Sequence, residues 1–150
     1  MYAKGRLAIP FEDPAELLYL RFGMDDIVDQ QLAPAAVRVP GQSVNRGSLS
    51  EPEDVLFHQE GLYNGLGVVE FFVRDVPTPV TGEHGSNAVF FMRHKPLEDN
   101  YSHSEVCCDK TEQRKGDFKP SNSVKLKFKA DLCKLIRAER IRIPAAKNRL

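Results

Sequence analysis

The segment Tyr101-Ser-His-Ser-Glu105 carries the residues best suited to acid–base chemistry. On a β-strand, His103 and Glu105 lie on one face about 7 Å apart, because successive side chains alternate between the two faces. A histidine and a carboxylate near one ligand are the minimum for acid–base catalysis, with one group donating a proton and the other accepting it. We therefore predict His103 and Glu105 as catalytic residues. The alternative is that this segment forms the solvent-exposed face of an outer strand.

Arg93 lies in the preceding apolar segment and is the nearest candidate for holding an anion. If the two segments pair as antiparallel strands, one register places Arg93 opposite His103, and a register one residue away places Met92 there. Arg93 beside His103 and Glu105 would form an anion-binding, catalytically competent group. Tyr101 lies on the same face of its strand, so Arg93 and Tyr101 are both predicted ligand-binding residues. The sequence leaves the register open.

A second polar cluster is centred on Asn45 and Arg46, which are surrounded by Ser43, Ser48 and Ser50. A guanidinium group beside hydroxyls and the start of a helix can bind a phosphate or a carboxylate. We predict Asn45 and Arg46 as ligand-binding residues. The alternative is a solvent-exposed loop before a capped helix, because the acidic side chains at that helix start would repel an anion. Those acidic residues are Glu51, Glu53 and Asp54.

The 21 basic and 21 acidic side chains balance only as an average over the chain. Residues 1–109 contain 8 basic and 17 acidic groups, net −9, whereas residues 110–150 contain 13 and 4, net +9. A basic segment attracts anionic partners, and nucleic acid or an acidic protein is the partner that we predict for it. The alternative is that the segment packs against the acidic part of the same chain or is a solvated helix face.

Several classes of function are excluded by what the sequence lacks. It contains no glycine-rich phosphate loop, no H-E-x-x-H, no C-x-x-C and no G-x-S-x-G motif. We therefore predict no cofactor and no metal site. Three cysteines, two of them adjacent, give no disulfide framework and are typical of a reducing compartment. No stretch reaches the roughly 18 apolar residues of a membrane span, so we expect a soluble, cytoplasmic protein without membrane contact.

The strongest strand signals are 66–74, 88–94 and 101–107, which are short, β-branched or aromatic, and bounded by turn residues. A weaker strand is predicted at 36–39, and Ile141 with Ile143 could form a closing strand. The polar segment 41–53 reads as a loop. Together these segments predict a mainly antiparallel central sheet.

Helix signals come from capping residues and from apolar spacing. Asp13 followed by Pro14 and Glu16, with Gly23 as terminator, predicts a helix over 13–23. A weaker helix or turn is expected near 27–32, and another helix starts near Ser50. A basic helix is predicted near 123–138, with Val124, Phe128, Leu132, Leu135 and Ile136 on its apolar side. The predicted class is α+β, a single domain of residues 1–150 with two to four helices around the sheet.

Two functional hypotheses follow from these residues. The first is a small domain that binds or acts on an anionic, phosphate-containing ligand, as a metal-independent acid–base hydrolase or nuclease-like enzyme. His103 and Glu105 would be its acid and base, and Arg46 or Arg93 would hold the anion. The second is a non-catalytic interaction or adaptor module whose basic C-terminal segment binds a protein or nucleic acid. The sequence supports both hypotheses and does not indicate the oligomeric state.

Overall fold

The structure, a computed structural model, describes residues 7–58, 61–111 and 118–146. Its α-helix, α1, is Asn122–Cys133. The strands in the described residues are, in chain order, β1 (Leu17–Phe22), β2 (Ile27–Val28), β3 (Gln31–Leu32), β4 (Gln42–Arg46), β5 (Phe57–His58), β6 (Gly61–Leu62), β7 (Gly67–Phe72), β8 (Val80–Thr81), β9 (Asn87–His94), β10 (His103–Asp109) and β11 (Ile141–Ile143).

Seven of these strands form one sheet in the order β11-β7-β1-β4-β10-β9-β8. Every pairing in that sheet is antiparallel, as predicted. The pairs β2–β3 and β5–β6 form two small separate ribbons. The predicted strands 66–74 and 88–94 are confirmed as β7 and β9, and the closing strand is confirmed as β11. The predicted strand 101–107 is observed as β10, which begins at His103 because residues 101 and 102 belong to the preceding turn.

The helix predicted over 13–23 is wrong, because most of this segment is the central strand β1. Asp13 does make the expected local contact, since its Oδ1 accepts from the Ala15 amide at 2.9 Å, but it closes only a turn. The following residues alternate between two buried faces, with Leu18 and Leu20 in the main core and Tyr19 in a second apolar cluster. A strand buried on both sides has a nearly continuous apolar sequence, which resembles a short helix when periodicity alone is read.

The loop predicted over 41–53 is also wrong in its first half, which forms the interior strand β4. This strand lies between β1 and β10 although its sequence, Gln-Ser-Val-Asn-Arg, is mostly polar. The predicted strand 36–39 is not formed, because Pro34–Ala36 make a 3-10 turn. The weak helix near 27–32 is the β2–β3 hairpin, and the helix expected from Ser50 is a 3-10 helix, Pro52–Leu56.

The C-terminal helix is confirmed in position but ends earlier than predicted. The Ser121 side chain caps α1 by accepting from the Val124 amide at 3.4 Å. Val124, Phe128 and Leu132 are buried as predicted, whereas Leu135 is 46% exposed. Within the described residues α1 is the single α-helix, so the prediction of two to four helices is wrong and the fold is mainly sheet.

The two faces of the sheet have different surroundings. On one face, apolar side chains from the central strands pack with α1 in the main core, where the rings of Phe90 and Phe128 lie 4.2 Å apart. On the opposite face, the β7–β1 half is covered by a smaller cluster with Val55 and Leu56 from the 3-10 helix. The β4–β10–β9 half of that second face carries polar side chains. In the described part of the chain, no helix is long and apolar enough to cross a membrane.

Candidate functional site

The predicted catalytic residues lie on the face opposite α1. In β10, Glu105 is directly opposite Arg93 of β9 on one side and opposite Ser43 of β4 on the other. His103 is opposite Asn45, and its carbonyl accepts from the amide of Lys95, which follows β9. Neither predicted register is therefore observed, because Lys95, and not Arg93 or Met92, lies opposite His103. Arg93 still shares a face with His103 and Glu105, because the observed register differs from the first alternative by two residues.

The imidazole of His103 contacts two other strands rather than Glu105. Its Nδ1 is 2.8 Å from the Lys95 carbonyl oxygen, and its Nε2 is 3.2 Å from Ser43 Oγ. The ring is therefore held between β4 and the end of β9. Ser43 lies on β4, and Lys95 directly follows β9 and is hydrogen-bonded to His103 through its amide, so the strands on both sides of β10 fix the orientation of the ring.

The charged side chains of this region include one ion pair. Lys95 Nζ lies 3.1 Å from Glu105 Oε1, and the two side chains are 39% and 26% exposed. The guanidinium of Arg93 lies 5.3 Å from the centre of the Phe91 ring. We call the surface formed by Ser43, Arg93, Lys95, His103 and Glu105 the polar face. It carries two cations and one carboxylate, a local charge of +1 with His103 neutral.

Arg46, predicted to bind a ligand, is instead buried in the main body of the protein. Its guanidinium forms a two-point pair with Glu16, at 2.8 Å from Nε to Oε2 and 2.7 Å from Nη2 to Oε1. Nη1 donates to the Ile9 carbonyl, and the group lies 3.8 Å from the centre of the Phe11 ring. Burial alone would raise the pKa of Glu16, but hydrogen bonds from Arg46 and Ser48 outweigh it and hold that pKa below its ordinary value.

Asn45 and Tyr101 also make internal contacts. Asn45 is 2% exposed, and its Oδ1 accepts from Asn100 at 2.8 Å, while its Nδ2 has no partner among the described residues. The Tyr101 hydroxyl donates to the Leu7 carbonyl at 2.6 Å. These contacts connect the turn before β10 to β4 and to the start of the described chain. Asn45 is the cross-strand neighbour of His103 but is buried, and Arg46 and Tyr101 are engaged elsewhere, so these three residues do not form one open surface with His103.

The sequence does not identify Lys95 and Ser43 as members of the polar face. Lys95 follows Arg93 by two positions and therefore continues the same face beyond the end of β9. The sequence predicts a loop at Ser43, because the polar strand β4 has no apolar alternation. The spacing of Arg93 and Lys95 was a usable signal, whereas the position of Ser43 depends on a pairing between strands about 60 residues apart.

A cleft of about 490 Å³ lies between the segment 8–14 and strand β9. Apolar side chains supply much of its lining, among them Phe11, Val76, Phe90 and Met92. Neither His103 nor Glu105 lines it. Arg93 does line it, so the polar face meets the cleft at β9, while the other four residues of the polar face lie outside the cleft.

His94, beside the cleft, is 4% exposed and was not predicted as a site residue. Its Nδ1 accepts from the Ile9 amide at 2.9 Å, and its Nε2 contacts the Tyr101 carbonyl oxygen. Burial lowers the pKa of His94, opposed by the Tyr101 hydrogen bond. With both ring nitrogens in use inside the protein, His94 holds the segment that forms one side of the cleft.

Acidic side chains of the same chain neutralise part of the positive charge of the basic C-terminal segment. Arg142 Nη1 lies 2.7 Å from Glu70, and Arg140 Nη1 lies 3.4 Å from Asp75. On α1, Lys127 and Lys134 both pair with Asp131. The contacts to Glu70 and Asp75 match the alternative in which the basic segment packs against the acidic part of the same chain, whereas Asp131 belongs to the basic segment itself.

No group of three or more His, Cys, Asp or Glu side chains within the described ranges is arranged to hold a metal ion. Cys107, on the same strand face as His103 and Glu105, is buried, and burial raises the pKa of its thiol. Comparisons with protein-family models, with curated proteins and with solved structures each found no match. Function is therefore inferred from the geometry alone.

Proposed function

We propose that this protein binds a phosphate-containing anion on the polar face. The observation that carries the proposal is that two cationic and two polar side chains lie on one face of three adjacent parts of one sheet. Arg93 and Lys95 come from β9 and its end, His103 comes from β10, and Ser43 comes from β4. Guanidinium and ammonium groups are the charged donors that proteins use to bind phosphate oxygens. The Ser43 hydroxyl and the His103 ring, which hydrogen-bond to each other, lie beside them.

The existing ion pair on this face does not prevent ligand binding. Lys95 and Glu105 are both partly exposed, and such a pair contributes only about 0–1 kcal/mol because water and salt screen it. A phosphate group with two or more negative charges can therefore replace the single carboxylate as the partner of Lys95. Glu105 is the one acidic side chain of the polar face, and it weakens binding without outweighing the two cations.

Two alternatives from the sequence have weaker geometric support. Arg46 is 4% exposed and its guanidinium already contacts Glu16 and Ile9, so it has little capacity for a ligand. The C-terminal basic segment remains a proposal for binding an acidic protein or nucleic acid, but part of its charge is matched by Glu70 and Asp75. The polar face therefore has priority over both.

The experiment is a calorimetric titration with sodium pyrophosphate at constant ionic strength. Wild-type protein is compared with the double variant Arg93→Gln/Lys95→Gln. We expect saturable binding to the wild type and at least about tenfold weaker binding to the variant, since each charge-assisted hydrogen bond contributes about 1.5–3 kcal/mol.

The matched control is the double variant Lys127→Gln/Lys134→Gln on α1. It removes the same amount of positive charge, from the opposite side of the sheet, and should leave the affinity for pyrophosphate unchanged. Equal weakening by both double variants would mean that only net charge matters and would contradict a site on the polar face. The same variants titrated with a short single-stranded oligonucleotide test whether the C-terminal segment is the stronger binder.

A further inference from the structure

The two hydrogen bonds of His103 determine which of its ring nitrogens carries the proton. The carbonyl oxygen of Lys95 can only accept a hydrogen bond, so Nδ1 at 2.8 Å must be the protonated nitrogen. In the neutral ring Nε2 then has a free lone pair. The Ser43 hydroxyl at 3.2 Å is the donor to that lone pair. The chain of contacts therefore runs from the Ser43 O–H to Nε2, and from Nδ1–H to the Lys95 carbonyl.

This order of groups is the one that activates a serine hydroxyl. A weak nucleophile needs a base within hydrogen-bond distance, and the base needs a third group that fixes its tautomer and orientation. Here Ser43 is the hydroxyl, His103 is the base, and the backbone carbonyl of Lys95 is the orienting group. In the Ser-His-Asp triad the third position is a carboxylate, which also stabilises the protonated ring. The neutral carbonyl supplies the orientation and less of the charge stabilisation.

The position of these groups in the fold keeps their geometry constant. Ser43 and His103 lie on the paired strands β4 and β10. The Lys95 amide donates a hydrogen bond to the His103 carbonyl, and the Lys95 carbonyl accepts one from the His103 ring. Groups on strands of one sheet are held more precisely than groups on loops. The Ser43 side chain is exposed, so a bulky ester can reach its oxygen.

We propose that Ser43 is a nucleophile and His103 its general base in the hydrolysis of carboxylic esters that carry an anionic group. This proposal rests on the proposed function, because Arg93 and Lys95 would hold the anionic group of the ester. Their positive charge also favours the negative charge that develops on the carbonyl oxygen during attack.

The reaction has two balanced halves. In the first, the Ser43 hydroxyl proton moves to Nε2 of His103 while Oγ forms a bond to the carbonyl carbon, and the carbonyl π electrons move to oxygen. Collapse of this intermediate breaks the bond to the alcohol, which leaves with the proton from Nε2. In the second half, water gives a proton to Nε2 and attacks the acyl carbon, and the carboxylic acid departs as Ser43 Oγ recovers its proton.

The first test is reaction with an alkyl fluorophosphonate, which modifies activated serines and carries no charge that requires the anion site. We expect modification at Ser43, located by peptide mass spectrometry, and no modification of the Ser43→Ala variant. In His103→Gln the rate of modification should fall at least about 100-fold, as for loss of a general base. Ser50→Ala is the matched control, because its hydroxyl donates to the Arg46 carbonyl, and it should react like wild type.

The second test compares 4-nitrophenyl acetate with the mono-4-nitrophenyl ester of glutaric acid, which carries a carboxylate. We expect kcat/KM to be at least about tenfold higher for the charged ester, and we expect Arg93→Gln/Lys95→Gln to remove that preference. Unfolding midpoints for every variant identify any loss that comes from the fold.

The outcomes separate the two proposals. If pyrophosphate binds on the polar face but the fluorophosphonate leaves Ser43 unmodified, or modifies it equally fast in His103→Gln, the catalytic proposal is overturned and the proposed function stands. If Ser43 is modified through His103 but pyrophosphate does not bind and the two esters react alike, the proposed function and the anionic ester as substrate class are both overturned.

Discussion

The backbone amide of Ile9 donates a hydrogen bond to Nδ1 of His94 at 2.9 Å, across 85 positions of the sequence. Because Nδ1 accepts, the ring proton is on Nε2, which donates to the Tyr101 carbonyl. The buried ring is therefore neutral in the native state. The titratable groups that face it are Glu16, Arg46 and His103, and burial is the main cause of its lowered pKa.

This arrangement predicts that the protein loses stability in mild acid. The folded pKa of His94 lies below the ordinary value of about 6.5, so the unfolded chain binds the proton first. The free energy of unfolding should therefore decrease as the pH falls below about 6.5, by up to about 1.4 kcal/mol per pH unit, until the folded pKa is reached. Urea unfolding at several pH values between 7.5 and 5 measures this slope.

Two variants assign the slope to His94. His94→Gln can keep one acceptor and one donor but cannot take up a proton, so its unfolding free energy should change less between pH 7.5 and 5. His84→Asn alters an exposed histidine and should keep the wild-type slope. An unchanged slope in His94→Gln would show that another group is responsible.

The buried pair of Arg46 and Glu16 should be costly to break from one side only. Arg46→Met leaves the carboxylate of Glu16, whose side chain is 7% exposed, without its cation, and about 3–5 kcal/mol of stability should be lost. The double variant Arg46→Met/Glu16→Leu should lose clearly less than the sum of the two single variants, because no unpaired charge remains. Equilibrium urea unfolding of the wild type, Arg46→Met, Glu16→Leu and the double variant completes this double-mutant cycle. Additive losses of unfolding free energy would contradict a coupled pair.

The position of α1 on the sheet predicts a large loss of stability for truncation of one of its apolar residues and a small loss for another. Phe128 is fully buried against Phe90, so Phe128→Ala should cost about 3–5 kcal/mol. Leu126 is 66% exposed, so Leu126→Ala should change stability by less than about 0.5 kcal/mol. Thermal and urea unfolding measure both. Comparable losses would mean that the helix presents a different side to the sheet.

The three cysteine thiols should be unreactive in the native protein. All three are buried, and burial raises the pKa of Cys108 to about 11 and that of Cys133 to about 11. Because the thiolate is the reactive form, reaction with Ellman's reagent at pH 8 should be slow before unfolding and give three thiols after it. Rapid reaction of one thiol in the folded protein would show that at least one cysteine is accessible.

Strands with apolar, β-branched sequences could be located from the sequence, and strands without them could not. The sequence predicts β7 and β9 well, because runs such as Gly-Val-Val-Glu-Phe-Phe bury side chains on a pleated surface. The sequence predicts a helix in place of β1 because both faces of that strand are apolar, and it predicts a loop in place of β4 because that strand is largely polar. In both cases the strand partners, distant in the sequence, determine the structure.

The members of the candidate site that share a strand could be predicted from the sequence, whereas the members on different strands could not. The shared face of His103 and Glu105 follows from the alternation of a strand, and so does the shared face of Arg93 and Lys95. The contact between Ser43 and His103 requires the pairing of β4 with β10, which no local pattern indicates. The sequence predicts Arg46 as free to bind a ligand because it predicts a helix at Glu16, whereas Glu16 lies in the turn that leads into β1 and pairs with Arg46.

The most direct test of anion binding on the polar face is an NMR titration with sodium phosphate at pH 8, in which ¹H–¹³C spectra follow the histidine rings and ¹H–¹⁵N spectra follow the backbone amides. Ionic strength is held constant with sodium chloride. The His103 ring resonances and the Ser43 amide should shift and saturate together, while the ring of His94, engaged by Ile9 and Tyr101, should move little. Shifts that fail to saturate, or that appear at His94 and on α1 but not at His103, would contradict the proposed site.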